Sequence, residues 1–241
     1  MTAPGFRLEI HESLASTSDL VLQRAQAGEP EGLAILARRQ TAGRGTSGRQ
    51  WQSLAGNLFL SLLLRPPGSI RDAPQWALLT AVALAETLAP LLHDPAGLRL
   101  KWPNDLLLDG AKLAGILAEA AADGQGGIAW LVLGIGVNLA HAPALPDRPT
   151  ASLPPPAPAP EDVAAALLQA IARWRDIHAQ AGLAPVRQAW CARGPEPGAP
   201  LSVRQGDNGL LTGRFAGLGE DGSLLLETGT GLRRVVSGEI S

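Results

Sequence analysis

Apolar and polar positions change their period several times along this chain, and each change marks an element. Phe6 to His11 alternates in the two-residue rhythm of a strand with one covered face. Ser18 to Ala27 reads as a short helix, with Ser16, Thr17 and Ser18 as candidate caps and Gly28 at its end. Leu33 to Arg38 and Asn57 to Leu64 are apolar runs of strand length. Thr41 to Gly56, between them, is rich in Gly, Arg and Ser and predicts a loop. Gln75 to Leu92 predicts a buried helix, because Leu78, Val82, Ala85 and Leu88 share a face.

Leu98 to Trp102 is a strand that Pro103 should end. Asp109-Gly110 signals the turn of a hairpin, Leu106 to Ala111, before a strand from Lys112 to Glu119. Ala129 to Leu139 is another strand, with Gly134 and Gly136 inside it, and Pro143 to Pro160 is a proline-rich connector without periodicity. Glu161 to Ala181 predicts a helix: Val163, Leu167, Ile171 and Trp174 recur at helical spacing, and Glu161 and Asp162 favour its positive end. From Pro195 the texture shifts to short strands, Leu201–Val203, Leu210–Ala216, Ser223–Glu227 and Leu232–Val236, separated by Gly, Asp and Asn turns. They predict a small antiparallel β-barrel of roughly 45 residues, a size that leans on a larger neighbour for stability. The expected architecture is α+β, a mixed or antiparallel sheet with packed helices, followed by that barrel.

Composition narrows the function. Hydrophobic residues make up 46% of the 241 residues and charged ones 17%, which predicts a packed core rather than disorder. A net charge of −2 gives no bulk electrostatic reason to bind DNA or a membrane. One cysteine, Cys191, excludes an internal disulfide and a cysteine-rich zinc site. His11, His93, His141 and His178 fit no metal-ligand spacing. Met1 to Phe6 lacks the basic start and apolar run of a signal peptide. The apolar stretch near Leu78 to Leu92 carries Glu86 and Pro90 and is too short to span a bilayer. The expectation is a soluble cytoplasmic protein.

Candidate chemistry lies in the loops and strand ends. Gly43-Arg44-Gly45-Thr46-Ser47-Gly48-Arg49 matches G-x-G-x-x-G formally, but no helix opens there and no acidic residue follows at the required distance. A nicotinamide fingerprint is excluded. What remains is either a loop whose backbone N–H groups and arginines clamp an anion, or a solvated surface loop with incidental arginines. Lys101-Trp102-Pro103-Asn104-Asp105 ends a strand with an amide and a carboxylate. Asp105 could bind a metal or take a proton from an amine, although Asn-Asp after proline is by itself a common turn. Lys112 suits a carboxylate or phosphate, and taken alone is more simply an exposed hairpin lysine. Gly115, Gly134 and Gly136 would let a flat ligand press against the sheet, and Asn138 adds an amide at a strand end; a β-bulge explains the last two glycines equally well.

Taken together these motifs resemble one family, the biotin protein ligases. Its catalytic domain carries in order a Ser-Thr-Asn-like segment, Gln-x-x-Gly-Arg-Gly followed by Gly-Arg-x-Trp, Lys-Trp-Pro-Asn-Asp, Lys-Leu-x-Gly-Ile-Leu and Gly-x-Gly-x-Asn. Here stand Ser16-Thr17-Ser18, Gln40 to Trp51, Lys101 to Asp105, Lys112 to Leu117 and Gly134 to Asn138. The resemblance implies a class II aminoacyl-tRNA synthetase-like catalytic domain over 1–190 and an SH3-like barrel over 191–241. It implies ATP-dependent activation of biotin to biotinyl-5′-AMP, with Mg²⁺, and transfer to a lysine of a biotin carboxyl carrier protein.

Its site residues carry over as follows. Lys112, Asp105 and Arg44 are implied to be catalytic. Ser16, Thr17, Ser18, Gln40, Gly43, Arg44, Gly45, Thr46, Lys112 and Gly115 are implied to bind biotin. Arg44, Arg49, Trp51, Asn104, Lys112 and Asn138 are implied to bind the nucleotide, and Mg²⁺ would come with ATP, in contact with Asp105 rather than in a protein cage. Ser18 stands where many members have Asn, and Thr46 where many have a second arginine that helps hold the adenylate. No winged helix precedes Phe6, so no DNA-binding role is expected; a homodimer is compatible with the family. A lipoate or octanoate ligase or transferase is the nearest rival, and a non-catalytic biotin sensor the rival from another class.

Overall fold

The computed structural model describes residues 5–205 and 209–240. Met1 to Pro4 and the turn expected at Asp207-Asn208 lie outside them.

Seven strands form one mixed sheet in the order β1-β2-β3-β7-β6-β5-β4. β1 (Arg7–His11) runs parallel to β2 (Leu33–Ala37), and every other pairing is antiparallel. β2 is buried along its whole length because both faces are covered. Leu33 and Ile35 meet Val21 and Ala25 of α1 (Thr17–Gln26). Ala34 and Leu36 point the other way, into the core under α2 (Gln75–Leu88), α3 (Pro160–Ala181) and α4 (Ala184–Cys191). The domain is thus three layers, one helix, the sheet and three helices.

The same two-residue period decides what the α1 side of the sheet offers. On β3 (Leu58–Leu64), Leu58, Leu60, Leu62 and Leu64 fill the main core while Leu63 packs under α1. Phe59 and Ser61 share the face of Leu63. Ser61 pairs with Gly134 of β7 (Ile128–Val137), and Gly134 with Leu117 of β6 (Ala111–Ala122). One step along, Phe59, Gly136, Gly115 and Asp105 form a row across four strands. Three glycines therefore leave a hollow on a sheet face beside the start of α1.

The hairpin expected over Leu106 to Ala111 is present and extended: Asp105–Leu108 forms β5, paired with both β4 (Leu98–Lys101) and β6. Pairing on both sides outweighs the short sequence run. The connector 143–160, which forms no strand or helix before Pro160, is tied to β6 where the Lys112 backbone N–H donates to Pro149 O and that of Ala151 donates to Lys112 O, each at 2.9 Å. Helix α4 carries no signal that sequence reading used.

A second sheet, five antiparallel strands in the order β11-β10-β9-β8-β12, follows α4. It comprises β8 (Pro200–Arg204), β9 (Leu210–Leu218), β10 (Leu224–Thr228), β11 (Gly231–Val235) and β12 (Glu239–Ile240). Its apolar residues Val203, Phe215, Leu218, Leu224, Leu226, Val235 and Ile240 are continuous with the main core. Trp190 of α4 packs on Phe215, and the Trp102 indole N–H donates to Gly222 O at 3.1 Å. Among the described residues no helix is long and apolar enough to cross a membrane.

Candidate active site

The hollow is lined on one side by α1 and the loop that follows β2. Ser16 does not line it. Its hydroxyl caps α1 by accepting from Asp19 N, which frees Thr17 and Ser18 to face inward. Gln40 Oε1 accepts from the Thr17 backbone N–H at 2.8 Å and from the Thr17 hydroxyl at 3.1 Å, and Gln40 Nε2 donates to Ser53 Oγ at 3.2 Å. Phe59, Ser61 and Leu117 complete the floor and walls of a cavity of about 40 Å³. Gly134 is required there: a Cβ would sit 2.4 Å from Ser18 Oγ.

The loop between Gly43 and Trp51 folds back on itself. Gly43 O accepts from Trp51 N at 2.9 Å and Gly45 N donates to Arg49 O at 2.7 Å, with a tight turn over Thr46–Gly48 between them. A Cβ on Gly43 would lie 2.7 Å from Trp51 O and 2.9 Å from Gln40 Nε2, so only glycine permits this crossing. The Trp51 indole lies flat on the glycine row, where a Cβ on Gly136 would come within 2.4 Å and one on Gly115 within 3.1 Å. Its buried ring N–H has no hydrogen-bond partner. On the far side of Trp51, Gln52, Asn138, Leu145 and Thr150 help line a second cavity of about 290 Å³. Asn138 donates to Lys112 O and Ala151 O, and its buried Oδ1 has no partner. Two buried polar atoms among the residues of the second cavity, one donor and one acceptor, thus lack partners.

Lys112 Nζ stands 2.6 Å from Asp105 Oδ1 and 5.8 Å from the Trp51 ring centre, with both Lys112 and Asp105 largely buried. Asn104 donates to Ile116 O at 2.6 Å, which fixes the strand end that carries Asp105. Arg44 is paired with Glu119 in a two-pronged contact at 3.0 and 2.7 Å and with Asp19 at 2.7 Å. Its hydrogen bond to Glu119 holds the guanidinium above its ordinary pKa. Arg49 reaches across to the second sheet and grips Glu239 at 3.0 and 2.5 Å; Arg148 meets the same carboxylate at 3.2 Å. The Arg49 bond holds the Glu239 carboxyl below the usual carboxylate range. Beside them burial pushes the Lys101 ammonium below its ordinary value, opposed by the Asp105 charge. Lys101, Arg148, Arg204 and Glu239 help line a cleft of about 480 Å³ between the two sheets.

The structure therefore brings together Thr17, Ser18, Gln40, Arg44, Gly45, Thr46, Lys112 and Gly115 at the hollow, with Trp51 and Asn104 at its edge. Arg49 and Asn138 belong to the second cavity and Ser16 to the helix cap. Sequence reading missed Ser61, Arg148 and Glu239. Ser61 sits as the one polar residue in the run Leu58–Leu64, a visible signal, whereas Arg148 and Glu239 are joined only by a contact 91 residues apart.

A ligand hollow on the face of a mixed sheet, continuous with a cation-rich cleft closed by a second sheet, defines a two-domain protein built to bring a neutral polar group and an anion together. The biotin/lipoate A/B protein ligase family model matches residues 10–138 and the biotin protein ligase C-terminal domain model matches 201–241. The chain is similar to a biotin–[acetyl-CoA-carboxylase] ligase of Paracoccus denitrificans, 38% identical over 86% of this chain and 88% of that one. It is 33% identical to the bifunctional ligase/repressor BirA of Bacillus subtilis, over 98% of this chain and 74% of the relative. The fold matches a biotin protein ligase from Aquifex aeolicus in complex with biotin and ATP at a TM-score of 0.81, with 26% identity over 98% of this chain and 97% of that one. The chain belongs to the biotin/lipoate A/B protein ligase family.

Proposed function

We propose that this chain is an ATP-dependent biotin–protein ligase, forming biotinyl-5′-AMP and passing the biotinyl group to a lysine of a biotin carboxyl carrier domain. The observation that carries the reading is Lys112, which borders the hollow, the second cavity and the cleft. A cation at that junction is where the carboxylate of biotin's side chain and an α-phosphate have to meet. The two anions repel, and a preorganised ammonium offsets that repulsion most as charge concentrates in the transition state.

In this reading biotin's ring system enters the hollow and meets Thr17, Ser18 and Gln40 beside Gly45 and Gly115, while Gly43 lies outside the lining and lets the loop cross Gln40. Its carboxylate points to Lys112. The adenine enters the second cavity against Trp51, within reach of Asn138 Oδ1, while Asn104 keeps the strand end rigid. Arg44 and Arg49 give up carboxylate partners as phosphate oxygens arrive. The carboxylate oxygen then attacks the α-phosphorus and pyrophosphate leaves. In the second half-reaction the acceptor amine attacks the acyl carbon of the mixed anhydride, AMP departs, and Asp105 is the carboxylate placed to take the amine's proton.

Among the described residues no three carboxylate, His or Cys side chains converge, so a dedicated metal cage does not fit them. One carboxylate, Asp105, beside incoming phosphates suits Mg²⁺ held chiefly by the nucleotide, where it would neutralise phosphate charge. We read the larger domain, 1–190, as class II aminoacyl-tRNA synthetase-like and 191–241 as SH3-like, with a cytoplasmic location, no DNA or membrane partner, and a homodimer as the oligomer to test. Thr46, in place of an arginine, predicts looser retention of the adenylate. The deciding experiment incubates pure protein with Mg-ATP, a carrier domain and either biotin or lipoate, then weighs the carrier. A biotin-dependent mass gain is expected; a gain with lipoate alone, or none, refutes the reading.

A further inference from the structure

Ser61, Leu63 and Arg65 follow the two-residue period of β3 and its immediate extension, so all three face α1. They meet the helix in order. Ser61 Oγ lies 3.0 Å from Ser18 Oγ, Leu63 packs with Val21 and Ala25, and Arg65 reaches the C-terminal end. The Arg65 guanidinium is given over to backbone carbonyls: it donates to Ala25 O at 3.0 Å, to Glu29 O at 3.2 and 2.9 Å, and to Ala129 O at 2.5 Å. Ala25 O lies in the last turn of α1, where carbonyls outrun the helix's own N–H donors and a cation meets the negative end of the dipole. Glu29 belongs to the segment between α1 and β2, and Ala129 to β7, the strand that also carries Gly134. The Arg65 backbone N–H donates to Glu31 Oε2 at 2.7 Å, and Glu31 Oε1 accepts from Arg175 of α3 at 2.6 Å. From Ser61 to Arg65 the strand runs about 13 Å, and from Ser18 to Ala25 the helix rises about 10 Å. One helix is thus moored at both ends to the same pair of strands.

We infer that Arg65 is a positioning residue for the reaction: by fixing α1 along its axis from the far end, it sets where Thr17 and Ser18 stand in the hollow. The clearance there demands such an anchor. A Cβ on Gly134 would come within 2.4 Å of Ser18 Oγ, so the helix start already lies as close to the sheet as a glycine allows. A helix that slips by one residue moves about 1.5 Å along its axis. That is enough to part Ser18 from Ser61 and Thr17 from Gln40, which now stand at hydrogen-bond distance. The N-terminal cap does not hold the axis, because Ser16 binds Asp19 of the same helix and moves with it. The apolar contact of Leu63 does not hold it either, since burial of apolar surface is non-directional. Arg65 does: a planar fork on carbonyls from three segments resists displacement in every direction. Arg65 does not line the hollow and acts through α1. The inference rests on the biotin reading above.

The test compares wild type, Arg65→Met and Arg65→Lys in ATP–pyrophosphate exchange and in calorimetric titration with biotin, below the melting transition of each. Methionine keeps much of the side chain's length without its donors; lysine restores a cation that can reach some of the carbonyls. Arg65→Met should raise Kd and KM for biotin by about tenfold, with KM for ATP and kcat at saturating biotin held within about twofold. Arg65→Lys should recover part of the loss. The split separates positioning from folding, because a residue that only stabilises the fold lowers the melting temperature and leaves the constants of the folded enzyme alone. Unchanged biotin constants, losses shared equally by biotin and ATP, or an Arg65→Lys enzyme no better than Arg65→Met overturn the inference. If Arg65→Met does not fold, Arg65→Lys carries the test: a rise of a few-fold in KM for biotin alone is expected, and no rise overturns the inference. Wild type that neither binds biotin nor exchanges pyrophosphate in its presence overturns the functional reading and this inference with it; wild type active on biotin, with variants that match it, overturns the inference alone.

Discussion

The hollow on the sheet and the cleft beneath the second sheet meet at Lys112, yet they are built on opposite plans. The floor of the hollow is neutral, formed within one domain, and its polar groups are tied to one another at fixed hydrogen-bond distances. The cleft is charged and draws on both sheets, and Arg49 and Arg148 there, like Arg44 at the rim of the hollow, hold carboxylates that an incoming anion can replace. Neutral recognition has to be preorganised, because an unmade hydrogen bond in a buried site costs about 1–3 kcal/mol. Charged recognition can be exchanged. Glu119, Asp19 and Glu239 keep the arginines ordered at little expense until phosphates arrive, since half-exposed ion pairs of this kind contribute only about 0–1 kcal/mol each.

The contrast breaks most sharply at the junction. Lys112→Ala should lower kcat/KM for ATP–pyrophosphate exchange by about a thousandfold while circular dichroism stays native, since it removes the cation between the two anions. Near-normal exchange in that variant would end the mechanistic argument. Gly136→Ala comes next. Its methyl collides with the Trp51 ring, so KM for ATP should rise by about tenfold to a hundredfold with biotin affinity changed much less. A loss shared equally by both substrates would mean that the two cavities are not separable.

Glu239→Gln sharpens the charged side. Freed from its partner, the Arg49–Arg148 pair should bind ATP a few-fold more tightly, and the gain should shrink as salt rises. The same residue sets a pH dependence. Its folded pKa is depressed, so its contribution to stability is full above the ordinary glutamate pKa and is lost as pH falls through the folded value. Melting curves should drop in that acid window for wild type and less for Glu239→Gln; parallel curves would remove Glu239 from the account. The smallest effect is expected from Thr46→Arg, which should slow release of biotinyl-AMP by a few-fold in a filter-retention assay. Equal release rates would leave Thr46 without a role.

Much of this was legible in one dimension because it depends on local pattern. The apolar runs, Pro103, the Asp109-Gly110 turn and the helix over 161–181 each announce themselves within a dozen residues, and the motifs sit at the strand ends they suggested. What escaped depends on register and on distant charge. Ser61 reads as an interruption in an apolar strand until pairing sets it beside Gly134. Ser16 and Thr17 read alike, but the helix end spends one hydroxyl on its cap and turns the other inward. Arg44 meets Glu119 across 75 residues, and Arg49 meets Glu239 across 190. No spacing rule sees that far. β5 was hidden because three leucines between a turn and a hairpin look too few for a strand.

The Trp102 bond to Gly222 has a mechanical counterpart in Arg187, whose guanidinium donates twice to Leu218 O, at 3.2 and 2.7 Å. Both fasten the smaller sheet through backbone carbonyls, while at β12 Glu239 holds Arg49 and Arg148 by charge. The bonds to neutral carbonyls are indifferent to dissolved ions, whereas the Glu239 pairs are exposed enough to be screened by them. Raising ionic strength should therefore weaken the ionic attachment and leave the neutral one intact.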